Sequence, residues 1–561
     1  MPKRLLLCVA VVLSTAVVPL STQAHPADGA RTNATYFNNA ALAAADPYVL
    51  HDKRSGYYYA YSTDGADPGY YFGVYRSADL ATWEKVPGGA LPVDDPKQWG
   101  NDWFWAPEVY FNPRTRLYFM FYAARSDANK ANWFGYADFE EPSKTGVAVS
   151  HSPAGPFHNI ANRPIDYNPY DPDYHDVNLI MGPDQKKPPA TLAEGETAPL
   201  GTYIPFIDPD VFFDSDGRTY LYFSRNAYRN WVWDTDLGKY IEESNIYAVE
   251  LTNDWWNDPR GQTMPTIAPK NRGANSAPGV PPGPRRDGWV RILDYDHDKQ
   301  AWENADVNDY AASGGEKKDR RWAEGSSTLK TYGPDGRPIY YLTYSANNWE
   351  TPQYGVGYAT ASSPLGPFKK SPTNPILSQN ASIGMYSTGH GSFAVSPDGR
   401  QLYYVHHGRP SPTEPQRRLY TERAFLDPGS LGLSIDQATS DRPIPSGVAP
   451  YSMGASARTV YLRSGSSRSL AWRVWSAEGA ALALGNPLNR VRATSANPAV
   501  ASVAADAGGS SGTVTAHTPG RTTVTLTYQR EHASGAYVDV FNLGRYGRQP
   551  VSVRVTVVVT R

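Results

Sequence analysis

Residues 208–224 read DPDVFFDSDGRTYLYFS: an acid and a proline, a short apolar run, a DSDG turn, then an aromatic-rich strand. The pattern recurs as DPYVLHDKRSGYYYAYS at 46–62, APEVYFNPRTRLYFMFYA at 106–123, EGSSTLKTYGPDGRPIYYLTYS at 324–345 and HGSFAVSPDGRQLYYVHHG at 390–408. The intervening SG, NPRT, DSDG, GPDG and SPDG segments carry hairpin-turn chemistry. Repeated short β-meanders of this kind predict a β-propeller, here with five blades. The spacings of 60, 102, 116 and 66 residues are uneven, so the excess over the ~40–50 residues of a simple blade is expected in loops. The obvious insertions are 159–200 and 226–320, rich in Pro, Gly, Asp and Asn, and long loops in compact domains are usually functional.

Composition agrees with an all-β chain. Gly and Pro number 48 each and Tyr 39 among 561 residues, a turn-rich and aromatic balance. With 53 basic and 55 acidic residues, no charge excess points to nucleic acid or an anionic membrane as partner. Residues 1–24 have the form of a secretory signal: Lys3 and Arg4, an apolar run Leu5–Leu20, and Thr22-Gln23-Ala24 before the cleavage point. The single cysteine, Cys8, lies inside that signal. The mature chain is therefore expected to be secreted, free of cysteine and thus of disulfides and Cys-built zinc sites, with no membrane anchor, and monomeric.

The propeller is expected over residues 25–441 and a linker, RPIPSGVAP, over 442–450. Beyond it Tyr and Trp thin out and small apolar and polar residues alternate between Gly-rich turns, which predicts a small β-sandwich over 451–561. Its SANPAVASV, GTVTA and PGRTTVTLTY segments resemble bacterial immunoglobulin-like modules. Trp472 and Trp475 stand near its start and no tryptophan follows, so the module reads as a spacer whose deletion is expected to leave activity on small substrates.

Aligned at their first strands, the five repeats begin with Asp46, Ala106, Asp208, Glu324 and His390. First strands of propeller blades line the central channel, so three carboxylates and one histidine should converge on the axis. Grouped acids raise one another's pKa and oppose folding, so such a ring reads as a site. Two carboxylates with a third tuning one of them is what glycoside hydrolysis requires: an acid that stays protonated and a base that activates water. The chain contains no HExxH, no P-loop and no sialidase-type SxDxGxxW repeat. Asp214 and Asp216 mimic part of a calcium loop, but Phe212 occupies its first ligand position, so they read as turn residues.

The ordered set of motifs (Asp46-Pro47, Trp105-Ala106-Pro107-Glu108, Ile207-Asp208-Pro209 with the DSDG turn, Ala323-Glu324-Gly325 and Gly389-His390-Gly391) resembles the blade motifs of glycoside hydrolase family 43 over about residues 35–440. The resemblance implies a five-bladed, inverting enzyme with Asp46 as general base, Glu324 as general acid and Asp208 as modulator of the acid's pKa. It implies no cofactor for the chemistry, and a water-coordinated calcium facing His390 as a structural ion. Two positions depart from the family pattern: Ser326 stands where Pro is usual, and Glu108 where Asp is more frequent. Arg409 resembles the family's substrate-contacting arginine. Aromatic faces suit sugar C–H faces, so Trp105 is the first candidate platform, followed by Trp103, Phe104, Trp322 and Trp349; Trp255 and Trp256 are expected to pack between blades. The expected substrate is an arabinose- or xylose-containing plant polysaccharide. α-L-Arabinofuranosidase activity comes first, then β-xylosidase, endo-arabinanase or galactan-directed activity; a non-catalytic carbohydrate-binding propeller is the other class.

Overall fold

The computed structural model describes residues 42–561 except 81, 132–141, 166–178, 181–186, 196–205, 226–229, 269–289, 294, 296–297, 382–383, 397–400, 437–450, 476–480, 486–488, 532–536 and 545–546. The signal segment 1–24 and the linker 442–450 lie outside the described residues. Each of the five repeats forms an antiparallel hairpin. The first pairs Tyr48–Asp52 with Tyr57–Ser62 and the second Asp102–Phe111 with Tyr118–Arg125. Ile207–Phe213 with Thr219–Arg225, Arg320–Tyr332 with Pro338–Ala346, and Tyr386–Val395 with Leu402–Arg409 complete the set. The turns behave as their composition dictates. Gly56, Gly217 and Gly336 take positive φ, and Asp52, Asn112 and Asp214 accept backbone N–H bonds within their own turns.

Two outer strands complete each blade: Gly73–Ser77 and Trp83–Lys85, Ser143–Ser150 and His158–Asn159, Lys239–Leu251 and Val290–Leu293, Gly355–Ala361 and Lys369–Lys370, Arg418–Asp427 and Gly432–Asp436. Aromatic and aliphatic side chains fill the spaces between blades. Between blades two and three, Phe119, Phe121, Val211, Leu221, Phe223 and Val249 surround the fully buried Trp255, and Trp256 packs on Phe213 with ring centroids 4.2 Å apart. The ring is closed by the start of the described chain. Ala44 N–H donates to the Arg417 carbonyl at 3.0 Å and Ala43 bridges Arg418 at the edge of blade five.

The 226–320 insertion is not merely loop. Lys239–Leu251 is a 13-residue strand whose second half belongs to blade three. Its first half extends beyond the blade, pairs antiparallel with Asn230–Asp234, and runs parallel to Arg320–Trp322 at the head of blade four. The sequence hides this strand because KYIEES carries two glutamates toward the interior. Both are neutralised there: Glu242 by Lys318 at 3.0 Å and Arg320 at 2.8 Å, and Glu243 by Arg321 at 2.9 Å. Arg321 also reaches Asp234 at 2.7 Å. Buried ions persist only when so paired.

The C-terminal segment forms two sheets. One orders Ser452–Ala455, Ser467–Trp475, Ser511–Ala516 and Ala501–Ala505; the other orders Thr459–Arg463, Ser552–Thr560, Gly520–Glu531 and Asn489–Ser495. Val555, Val557 and Val559 turn inward at period two and meet Leu470, Trp472, Val474 and Val514. Trp472 is thus a core residue and not a sugar platform. The sandwich also touches the propeller. The Arg423 guanidinium of blade five lies 4.0 Å from the ring centroid of Tyr451, and both residues are buried. Arg423→Ala is therefore expected to lower stability by about 2 kcal/mol, the scale of a desolvated cation–π contact, measured by urea denaturation of the full chain.

Candidate active site

The head of each inner strand carries the same backbone device. Asp46, Ala106, Asp208 and His390 have φ of 52°, 48°, 54° and 44°, and Gly325 has 59°. This left-handed region is costly for side-chain-bearing residues, about 1–2 kcal/mol each, and it coincides with β-bulges between Trp105 and Glu108, Ile207 and Asp210, Glu324 and Ser327, and Gly389 and Gly391. The bulge turns the leading residue off the sheet and into the channel.

The register corrects the sequence alignment by one residue. Trp105 pairs with Ala123, Ile207 with Ser224, Glu324 with Ser345 and Gly389 with His407. Glu324 is thus equivalent to Trp105 and Ile207, while Gly325 is the counterpart of Asp46, Ala106, Asp208 and His390. A Cβ at Gly325 would lie 2.7 Å from Cγ of His390, so the fourth position of the inner ring has to be glycine for the histidine to fit. The acid therefore stands one residue farther up its strand, about 3.3 Å, than the two aspartates.

A cavity of about 480 Å3 opens over this ring, lined by Asp46, Asp208, Glu324 and His390 together with Trp105, Trp322 and Trp349. Asp46 is only 8 % exposed. Its Oδ1 is 2.8 Å from Nη1 of Arg417, 3.2 Å from Nδ1 of His390 and 3.4 Å from Nδ1 of His407, and its Oδ2 accepts the Thr63 hydroxyl at 2.8 Å. Burial alone would raise its pKa, but Arg417, and then His390, hold the carboxyl well below the usual range. Burial also pushes His407 down to about 3, so its ring is neutral and accepts the Asp46 N–H on Nδ1 at 3.1 Å.

Asp208, 6 % exposed, has the opposite character. Its Oδ2 accepts from Ser224 at 3.0 Å and from the Gly325 N–H at 3.1 Å. Burial first, and then the negative charges of Glu324 and Asp46, raise its pKa to about 7 despite His390 and Ser224. Glu324 is fixed at both oxygens, by Trp322 Nε1 at 2.7 Å and by the Tyr354 hydroxyl at 2.6 Å. Tyr354 stacks on His407 with centroids 5.5 Å apart, which links the support of Glu324 to that of Asp46.

Two residues deeper along the inner strands, Glu108 and Asp210 form a second acidic level. Glu108 accepts from Tyr110, and burial with the nearby Asp210 charge raises its pKa well above normal. Asp210, bonded to Thr328 at 2.7 Å, is raised by burial to about 7.

Several expected contacts are not made. Phe104 is 8 % exposed and stacks on Tyr71 at 3.6 Å inside the core of the first two blades, so it offers no face to a sugar. Trp103 does not line the cavity; it stacks behind Trp105 at 5.2 Å and carries Arg125 on its ring at 4.1 Å. Arg409 is buried and holds loop carbonyls of Glu350 and Pro412. The arginine of the site is instead Arg417, whose guanidinium also covers Trp349 at 4.3 Å. It follows EPQ and precedes RLY, a context with no catalytic signature. Asp214 and Asp216 are turn residues, bound to Lys330 and Arg218.

His390 points Nδ1 at Asp46, and among the described residues no three His, Cys, Asp or Glu are grouped to hold a metal. That bears on direct protein ligands; an ion held through waters, as expected here, would be faced by His390.

Three carboxylates at or beside the heads of blades one, three and four, facing one cavity, suit the acid–base cleavage of glycosidic bonds. The model of glycosyl hydrolases family 43 matches residues 40–186 and 285–429, and that of the bacterial Ig-like domain, group 2, matches 481–539. The chain belongs to glycoside hydrolase family 43, a family that inverts at the anomeric centre. It is 27 % identical over 371 residues to the β-D-galactofuranosidase xynD of Aspergillus niger, covering 65 % of this chain and 74 % of the relative. The crystal structure of a thermostable family-43 glycoside hydrolase is 28 % identical with a TM-score of 0.50, covering 73 % of this chain and 99 % of that one. The structure of an endo-1,4-β-xylanase from Bacteroides thetaiotaomicron is also 28 % identical, with a TM-score of 0.46, covering 71 % and 96 %.

The raised Asp208 sets a pH dependence of stability. Its folded pKa of about 7 exceeds the ~3.9 of an unfolded aspartate. Between these values the folded state holds a proton that the unfolded state has lost, so stability falls as pH rises through this window. Asp208→Asn keeps the acceptor for Ser224 and Gly325 but removes the titration. Thermal melts from pH 4 to 8 should show the variant gaining stability relative to wild type as pH rises, most at pH 8.

Proposed function

We propose that the chain is a secreted, monomeric, exo-acting α-L-arabinofuranosidase that removes terminal arabinofuranosyl units from plant polysaccharide. The observation that carries the reading is one cavity, built by a single chain, in which an ionised Asp46 and a hydrogen-bonded Glu324 stand on different levels of the same ring. In this mechanism Asp46, kept anionic by Arg417, takes a proton from water as that water attacks the anomeric carbon. Glu324 gives its proton to the leaving oxygen on the other side, with ~6.5–9.5 Å between the two carboxyls leaving room for the water. Asp208 fixes the Gly325 N–H beside the acid and contributes a like charge when ionised. The chemistry uses carboxyl groups and water and calls on no cofactor.

Exo action is supported by the wall that residues 306–320 raise along one side of the cavity, which favours a pocket over an open cleft. A second reading, release of β-D-galactofuranosyl units, is favoured by the Aspergillus niger relative, whose name records that activity. Rates on 4-nitrophenyl α-L-arabinofuranoside, β-D-galactofuranoside and β-D-xyloside separate these readings. A ladder of oligomers released from linear arabinan at the outset would overturn exo action.

The roles of the acids have distinct signatures. A good leaving group departs without a proton, so Glu324→Ala should lose about 10²–10⁴-fold on polysaccharide and far less on aryl glycosides of acidic phenols. Asp46→Ala should lose comparably on both, because water must be activated whatever departs. Equal losses for Glu324→Ala across leaving groups would remove its assignment as the acid.

A further inference from the structure

The segment 301–320 supplies a wall to the catalytic cavity that the five repeats do not account for. It is bound firmly to blade four. Asn347, with φ of 73° and 1 % exposure, accepts the Ala305 N–H at 3.1 Å and donates to the carbonyls of Trp302 at 2.9 Å and Gln353 at 3.0 Å. Its own N–H bonds the Trp322 carbonyl at 3.2 Å, and the Arg320 N–H bonds the Asp306 carbonyl at 3.0 Å. One asparagine thus joins the wall, the loop beyond the second strand and the head of the strand that carries Glu324.

Within this wall Asp306 faces the cavity while being only 7 % exposed. Burial, and then the Asp309 charge, push its pKa up to about 6, so it is ionised at neutral pH. The cations near it have closer partners: Arg320 lies 2.8 Å from Glu242, and Lys317 lies 4.0 Å from Asp309. A buried carboxylate on a cavity wall, with the nearby cations engaged elsewhere, retains acceptor capacity for hydroxyl donors. Its position fixes which part of the substrate it meets. The Arg320 N–H that bonds the Asp306 carbonyl lies two residues before Trp322, which donates to Glu324, and the group that protonates the leaving oxygen stands on the leaving-group side of the scissile bond.

We propose that Asp306 is a specificity-determining residue of the leaving-group subsite, where it accepts hydrogen bonds from hydroxyls of the sugar released together with the protonated oxygen, beside the ring of Trp322. The inference rests on the assignment of Glu324 as the acid. It requires a neutral, hydroxyl-bearing sugar in that subsite. A uronate there is disfavoured, because Asp309, Glu316 and Glu350 line the same cavity and like charges repel.

The test compares two substrates with the same glycone: a 4-nitrophenyl furanoside and the matching furanosyl disaccharide, arabinosyl or galactosyl, whichever the wild type hydrolyses. Asp306→Asn should lower kcat/KM on the disaccharide by tenfold or more, the value of a hydrogen bond to a charged group, and leave the nitrophenyl substrate within about twofold. The retained aryl activity also reports that the variant is folded. Asp306→Glu, which restores the charge, should recover part of the loss on the disaccharide. Equal losses on both substrates would place Asp306 against the glycone or in folding, and unchanged rates on both would remove it from recognition; either result overturns the proposal. Failure of the underlying assignment appears separately, as a Glu324→Ala variant insensitive to the leaving group while Asp306→Asn behaves as described.

Discussion

A hydroxyl at the end of a second strand sets the geometry of this site. In blade one, Thr63 donates to its own blade's Asp46 and accepts the N–H of Ala106 from the next blade at 2.9 Å. In blade three, Ser224 donates to Asp208 and accepts the N–H of Gly325 at 3.1 Å. In blade four, Ser345 accepts the N–H of His390 at 2.7 Å. The left-handed backbone at the strand heads would leave these N–H groups buried without a ladder partner, a cost of about 1–3 kcal/mol apiece. The hydroxyl meets that need, and in blades one and three the same oxygen donates to the carboxylate of Asp46 or Asp208. Blade-to-blade contact and active-site geometry are therefore one interaction.

That arrangement separates two carboxylates of the same chemical type. Asp46 has a cation and two imidazoles around it; Asp208 has hydroxyl and amide donors and two negative neighbours. One is kept ionised, while the other is pushed up to a pKa of about 7. Both depend on burial. Widening the mouth of the cavity would let water screen Arg417 from Asp46 and weaken the repulsion at Asp208 together.

Much of the fold was legible because it is repeated. The five turns, the aromatic second strands and the acids at the strand heads are local signals, and the blades follow them. What escaped lies between repeats or depends on register. Glu324 differs from the ring position by a single residue, a difference set by where the bulge falls and invisible to an alignment that places each first charged residue in one column. Phe104 and Trp103 flank Trp105 in sequence, yet strand alternation turns Phe104 into the core, so a run of aromatics did not mean a run of platforms. Ser and Thr at the ends of the second strands were present in the repeats, but their partners belong to neighbouring blades. Arg417 and Asp306 sit in segments without a repeated pattern, and only the folded chain brings them to the cavity.

The closure of the ring has a consequence for when the surroundings of Asp46 are assembled. Ala44 pairs with Arg417 through the backbone, and two residues later Asp46 meets the Arg417 side chain, a contact spanning 371 residues of sequence. Asp46 lies near the start of the propeller and its counter-ion in the last blade. During synthesis a chain that has completed four blades already holds Asp46, Asp208 and Glu324, but lacks His390, His407 and Arg417. In that state Asp46 has neither Arg417 nor the two imidazoles beside it, so the buried ion pair at the centre of the cavity exists only once the final blade seals the circle.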